Sequence, residues 1–149
     1  MAAVTKSSSK GLDAYVRQVN ALDGHGVKVG IQSDAGTHEG TSILDIAIYN
    51  EFGTETIPAR PFIRDFAEKN ARVLGAAMDR IATKIERGAT VDAGLAQLGE
   101  FAQQNQQAHV RASKSWAVPN ASSTIKRKGS DVPLIDDGVL VNAIRWEKT

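Results

Sequence analysis

The sequence predicts an α+β domain in which a small, mainly antiparallel sheet packs against a long central helix, with extended loops and a terminal arm. Two observations support this prediction. Apolar residues recur every three or four positions in several stretches, which is the period of an amphipathic helix. Residues 27–32 instead alternate between apolar side chains and small or polar ones, which is the period of a strand.

The N-terminal part of the chain combines an arm, a helix and a strand. Residues 1–10 are small and polar, and we predict a flexible arm there, followed by a single domain at residues 11–149. The apolar spacing predicts a helix over 12–22, and Gly24 and Gly26 end it before the strand. Residues 33–41 are rich in turn-forming side chains, which favours a loop or a hairpin tip.

Three further helices are predicted in the middle of the chain. The first is capped by Thr41 or Ser42 and ends near Phe52. The second begins at Pro61 and continues for about 25 residues, a rod of roughly 37 Å at 1.5 Å per residue, which we expect to be the spine of the fold. Thr90 can cap the third, whose apolar stripe gives way to glutamines at positions 103, 104, 106 and 107.

The C-terminal third alternates between irregular and ordered segments. The glutamine-rich helix is polar nearly all round, so we predict that it lies in solvent or packs on another chain. Residues 111–132 are mostly Ser, Lys, Asn and Gly, which indicates a long loop excursion. After Gly138 we predict a helical run over 139–143 and a final strand that contains Ile144 and Trp146.

Composition excludes several classes of function. The chain has no cysteine, so disulfides, thiolate catalysis and cysteine-based metal sites are ruled out. Its start lacks the apolar stretch of a secretory signal, and no run of about 18 apolar residues exists, so we expect a cytoplasmic protein with no membrane partner. The 18 Lys and Arg against 17 Asp and Glu give a net charge of +1, so any contact with nucleic acid must be local.

No motif indicates catalysis, a cofactor or a metal. The glycines at 24, 26 and 30 lie between a helix and a strand, which is the wrong order for a dinucleotide-binding loop. The three histidines stand apart from one another, and no serine lies in a nucleophile elbow. Asp136 and Asp137 could share a proton or bind a metal, but their place before a helical run favours a cap.

One basic cluster surrounds an aromatic residue. Cations interleaved with an aromatic are what phosphate contact and base stacking require. The alternative is a solvated loop or a contact with acidic groups of a neighbouring subunit, and the short length of the cluster favours that alternative. The cations are Arg111, Lys114, Lys126, Arg127 and Lys128, and the aromatic residue is Trp116.

Three stretches carry a resemblance to a known family. Residues 48–64 read IYNEFGTETIPARPFIR, residues 27–32 read VKVGIQ, and residues 116–140 contain WAVPN, STIKRKG and PLIDDGVL. In their order along the chain, the three stretches resemble those of the neck and tail-completion proteins. These are the virion-morphogenesis proteins that join head to tail in long-tailed double-stranded DNA bacteriophages. The resemblance covers most of the chain from about residue 27 to residue 146.

The resemblance implies a structural, non-enzymatic virion protein without a cofactor. Such a subunit would form a homo-oligomeric ring around the DNA path, joined to portal-connector and tail proteins. It would be assembled in the host cytoplasm and would not bind DNA in a sequence-specific way. We expect six subunits, with twelve as the alternative, and loops 33–41 and 111–128 reaching adjacent rings. The tail-tube terminator ring and, outside the phage class, a small nucleic-acid-binding module remain as alternative functions.

The signature itself predicts a rigid corner, because Pro58 and Pro61 fix the backbone on either side of Arg60. Arg60 is suited to a bidentate contact with a carboxylate of a neighbouring subunit, for which Glu51 is the acidic candidate. The alternative is a rigid turn that only closes the core, with Arg60 on the surface. From the corner we predict a subunit interface formed by Glu51, Phe52, Arg60, Pro61, Phe62, Arg64 and Trp116.

Overall fold

The chain folds as an α+β domain, as predicted, in a computed structural model that describes residues 10–149. The predicted arm lies outside the described residues except for Lys10, which begins the first helix. The helices are α1 (Lys10–Leu22), α2 (Ile43–Phe52), α3 (Arg64–Glu86), α4 (Val91–Arg111), α5 (Ser122–Lys128) and α6 (Val139–Ala143), with a 3-10 turn at Ser113–Ser115. The strands are β1 (Val27–Ile31), β2 (Thr37–His38), β3 (Thr41–Ser42) and β4 (Ile144–Lys148).

The strands form two antiparallel pairs. β1 pairs with β4, so that Val27 lies opposite Lys148 and Ile31 lies opposite Ile144. This confirms both the predicted first strand and the predicted final strand. β2 and β3 form a small hairpin, which agrees with the hairpin tip expected in this region. The exposed polar face of the larger sheet carries an ion pair between Lys28 and Glu147 at 2.8 Å.

The long helix after the proline corner is confirmed, although it begins at Arg64 rather than at Pro61. The expectation that this helix is the spine of the fold is corrected. α4 contacts both α3 and the β1–β4 sheet, so α4 is the central helix. Two glycines allow α4 to pack closely on these neighbours. A Cβ on Gly94 would come within 2.9 Å of Ile85, and a Cβ on Gly99 would come within 2.3 Å of Trp146. Thr90 caps α4 as predicted, by accepting a bond from the amide of Ala93 at 3.2 Å.

The glutamine-rich end of α4 packs on its own sheet, which corrects the prediction that it lies in solvent or against another chain. The Gln103 side-chain oxygen accepts a hydrogen bond from the Trp146 amide at 2.9 Å, and the Gln107 side-chain amide donates to the Ile144 carbonyl at 3.0 Å. Both backbone groups lie on the outer edge of β4, which has no strand partner there among residues 10–149. The glutamines therefore supply hydrogen bonds that a neighbouring strand would otherwise make.

Two apolar clusters hold these elements together. The main core lies between α2, α4, α6 and β4 and consists of Ala47, Phe62, Val110, Leu134, Leu140, Val141 and Ile144. The small core lies where α3 turns into α4 and consists of Ile85, Val91 and Leu95, with Leu22, Val27 and Ile81 packed against it. Residues 111–132 are more ordered than predicted, since they include α5 and the buried residues Ser113 and Ala117.

Replacing Gly99 with alanine should destabilise the fold, because the added methyl group would collide with the indole ring of Trp146. Overpacking of this kind typically costs about 1–3 kcal/mol. Gly75 lies within α3 with no neighbouring atom within 4 Å of an added Cβ, so Gly75→Ala should be neutral or stabilising by up to about 1 kcal/mol. Urea unfolding measures both changes, and equal stability of the two variants would contradict the packing described.

Candidate subunit interface

Glu51 organises the corner between α2 and α3. Its side chain is buried, and the carboxylate accepts hydrogen bonds from the amides of Ile63 at 2.9 Å and of Arg64 at 3.2 Å. Amides in the first turn of a helix have no partner within the helix, and the helix dipole favours a negative charge there. Glu51 therefore acts as the cap of α3 from a distance of twelve residues in sequence.

Arg64 is the cationic partner of Glu51. Its Nε lies 2.9 Å from the carboxylate, and its Nη2 donates to the Glu51 carbonyl oxygen at 2.9 Å. The guanidinium carbon also lies 5.0 Å from the centroid of the Phe52 ring. Both Arg64 and Phe52 are more than half exposed, so this part of the predicted interface does lie on the surface.

Arg60 has a different role from the one predicted. Only 7% of the residue is exposed, and its Nε donates to the Val118 carbonyl at 2.8 Å. Its Nη2 donates to the Pro119 carbonyl at 3.3 Å and to the Asn120 side chain at 3.1 Å. The predicted contact with a carboxylate of a neighbouring subunit is therefore wrong for this conformation, because the guanidinium is used to hold residues 118–120 of its own chain.

The turn before Arg60 is fixed by local contacts. Gly53 has a φ of 78°, and a Cβ there would lie 2.9 Å from the Ala59 amide nitrogen, so glycine is required for two reasons. The Thr54 hydroxyl accepts a hydrogen bond from the Ile57 amide at 3.0 Å. Phe62 is completely buried in the main core and does not form an interface, which corrects its predicted role, whereas Pro61 is half-buried.

Trp116 is also engaged within the chain. Its indole nitrogen donates to the His109 carbonyl at 2.9 Å, and the two rings stack with their centroids 4.4 Å apart. The Lys69 ammonium lies 5.6 Å from the indole centroid. The indole is partly exposed, but its stacking partner is already a histidine, which argues against the base-stacking role considered from the sequence.

Next to this stack, His109 of α4 contacts Asp65 of α3. His109 Nε2 lies 2.9 Å from Asp65 Oδ2. Lys69 also reaches the same carboxylate at 2.9 Å. Burial lowers the pKa of His109, an effect that Asp65 opposes and Lys69 reinforces.

Two cations of the basic cluster predicted from the sequence have partners within the chain. Lys114 pairs with Asp131 at 2.6 Å, and the Lys128 ammonium donates to the Val132 carbonyl at 3.3 Å. Burial lowers the pKa of Lys128, and the nearby Asp136 opposes that shift. Lys114 is nevertheless exposed, as are Arg111, Lys126 and Arg127.

An open cleft of about 640 Å³ lies between the β2–β3 hairpin, the corner and α5. Acidic and basic side chains line it together, and His38 contacts Asp137 there at 3.1 Å. Asp137 also accepts a hydrogen bond from the Val139 amide at 3.3 Å, which agrees with the cap predicted for this acidic pair. Within residues 10–149, no three His, Asp or Glu side chains come close enough to hold a metal ion together.

Two exposed apolar surfaces were not predicted, apart from Phe52. Four residues of α1, which we call the α1 stripe, are 45–65% exposed, and they are Leu12, Tyr15, Val16 and Val19. Three residues of α2, which we call the α2 face, are 42–65% exposed, and they are Ile48, Tyr49 and Phe52. Periodicity revealed the helices but could not show that these faces stay exposed within residues 10–149. Contiguous exposed apolar residues commonly mark interaction sites.

No protein-family model, curated protein or solved structure matches this chain significantly. The resemblance of residues 48–64 and 116–140 to phage neck proteins therefore stays a prediction from the sequence. Within residues 10–149, no helix combines the length and the apolarity needed to cross a membrane.

Replacing Glu51 with glutamine should destabilise the corner, because the neutral side chain keeps its size but binds the Ile63 and Arg64 amides more weakly. Hydrogen bonds to a charged group contribute about 1.5–3 kcal/mol, so we expect a loss in that range in urea unfolding. Glu55→Gln is the matched control, since Glu55 is exposed, and it should change stability by less than about 0.5 kcal/mol. Equal effects of the two substitutions would contradict the capping role.

The burial of His109 should make stability depend on pH. Because its pKa in the folded chain is lowered from the ordinary value of 6.5, the unfolded chain takes up the proton first as the pH falls. The contribution of this residue is therefore complete above pH 6.5 and is lost as the pH falls towards the folded value. His109→Gln should reduce the stability difference between pH 7.5 and the acid side of this range in urea unfolding, and an unchanged difference would contradict the role of His109.

Proposed function

We propose that this chain is a structural subunit of a ring at the head–tail junction of a long-tailed bacteriophage, and that it performs no catalysis. The ring joins the tail to the portal-connector and surrounds the DNA path. The observation that carries this proposal is the exposed α2 face, which stands beside a corner whose polar groups are already satisfied within the chain. Permanent subunit contacts are more apolar than the rest of a protein surface, and the α2 face is both apolar and exposed.

The corner contributes by holding the α2 face in place rather than by offering charges to a neighbour. Glu51 ties α2 to α3, and Arg60 ties the same corner to residues 118–120. A preformed surface loses less conformational entropy when it associates, which favours assembly. We infer that adjacent subunits meet through Ile48, Tyr49 and Phe52, with Arg64 at the rim.

The charge distribution suits a subunit that surrounds moving DNA. The net charge is +1, and of the five cations considered for a nucleic-acid or inter-ring contact, Lys114 pairs with Asp131 and Lys128 donates to the Val132 carbonyl. A strongly basic lumen would hold phosphates through counterion release and would resist passage of the genome. A tail-tube terminator ring would meet the same requirement, so that role remains the alternative within the phage class. Six subunits are proposed, with twelve as the alternative.

Electron microscopy of the purified full-length protein in the absence of DNA tests the proposal. We expect closed rings with a central channel, and labelled protein at the neck of intact particles. A nucleic-acid-binding module would instead remain monomeric and would bind DNA with an affinity that falls steeply with salt. A monomer that is missing from particles would contradict the proposal.

A single charged substitution tests the role of the α2 face in assembly. Ile48→Lys places a cation at the centre of the proposed contact and should weaken ring formation at least tenfold, because the buried charge would have no partner. Met78→Lys is the matched control, since Met78 is similarly exposed but lies on α3. Both variants should keep the unfolding free energy of the monomer within about 0.5 kcal/mol. Sedimentation measures assembly, and equal assembly by both variants would contradict the assigned surface.

A further inference from the structure

The two outer edges of the β1–β4 sheet differ in their hydrogen bonding. Gly26 and Thr149 exchange two backbone hydrogen bonds at 3.3 and 3.0 Å, next to the end of the ladder. In an antiparallel pair, bonded and non-bonded pairs alternate, so Lys28 and Gly30 are the β1 residues that bond to β4. The N–H and C=O groups of the alternate residues, Val27, Val29 and Ile31, consequently point away from β4.

One edge of this sheet is closed and the other is open. The outer edge of β4 is bonded by Gln103 and Gln107, as described above. Between residues 10 and 149, no backbone or side-chain group bonds to the outward-facing groups of β1. A two-stranded sheet is marginal by itself, and an unprotected edge is a template for another strand. The sheet can therefore be extended in one direction only.

We propose that the open edge of β1 accepts residues 2–7 of a second copy of this chain as an added strand. This proposal rests on the proposed ring function and deepens it, because it names the segment and the edge that join two subunits. Each subunit then donates one strand and accepts one. A contact of this kind is heterologous, and it closes into a ring when the rotation between subunits permits.

Residues 2–7 fit the requirements of the edge. β1 has five residues and spans about 17 Å, and six extended residues span about 20 Å. Residues 2–7 contain no proline, so every amide can donate, and Val4 and Thr5 are β-branched, which favours a strand. Backbone bonding of this type supplies affinity without a particular side-chain motif.

The exposed α1 stripe favours a second copy, rather than the same chain, as the donor of the added strand. The C-terminal residue of α1, Leu22, packs in the small core beside Val27. With 13 residues, α1 places Lys10 roughly 18 Å along the helix from Leu22. The exposed α1 stripe begins at Leu12, shortly after residues 2–7 in sequence, and the neighbour that accepts the strand can also cover this stripe.

Mixed cysteine variants test the pairing, since the chain has no native cysteine. Full-length Thr5→Cys is mixed with full-length Lys28→Cys and treated with a short bis-maleimide linker. Because Lys28 is exposed and lies on β1, the mixed dimer should form at least tenfold more than with Lys126→Cys, an exposed control on α5. Equal yields with the two partners would overturn the proposal. So would a double variant, Thr5→Cys with Lys28→Cys, that links only within one chain.

Deletion of residues 2–9 separates this proposal from the proposed function. The deleted chain should keep its folded helical content but should associate at least tenfold more weakly than the full chain, because it can accept a strand and cannot donate one. Rings formed equally well by both chains would overturn the strand exchange and leave the ring function standing. A full-length chain that forms no ring and is missing from the neck would instead overturn the ring function.

Discussion

The buried carboxylate of Glu51 is the interaction on which the rest of the structure depends. It binds the first amides of α3 and the guanidinium of Arg64, so it fixes the angle between α2 and the long helix. A buried carboxylate is tolerated only when hydrogen bonds and a cation compensate for its lost hydration. Because all of these partners belong to the same chain, the corner is complete within a single chain.

The completed corner sets the position of the surfaces around it. Phe62 enters the main core directly after the proline turn, and Arg60 holds the segment that follows α4. On the other side of α4, its glutamines close the outer edge of β4. The α1 stripe and the α2 face are exposed, and the outward-facing groups of β1 bond to no group within residues 10–149. These are the types of surface that copies of one chain bury when they assemble.

Sequence patterns predicted the helices and strands well, because apolar periodicity and glycine or proline boundaries are local signals. Long-range polar partners could not be predicted in this way. The glutamines of α4 appear solvent-exposed or intermolecular by pattern, yet Gln103 and Gln107 bond to β4, some 40 residues away. Arg60 likewise bonds to residues 118–120 rather than to Glu51, since the pairing of charges depends on which segments the fold brings together.

The most direct test of this account is hydrogen exchange, followed by mass spectrometry, on the free and the assembled protein. If the corner is complete in the single subunit, the amides of Ile63 and Arg64 should exchange slowly in the free protein and should not change on assembly. New protection should then appear in α1, α2 and β1. Rapid exchange at residues 63 and 64 in the free subunit, with protection only after assembly, would contradict the account.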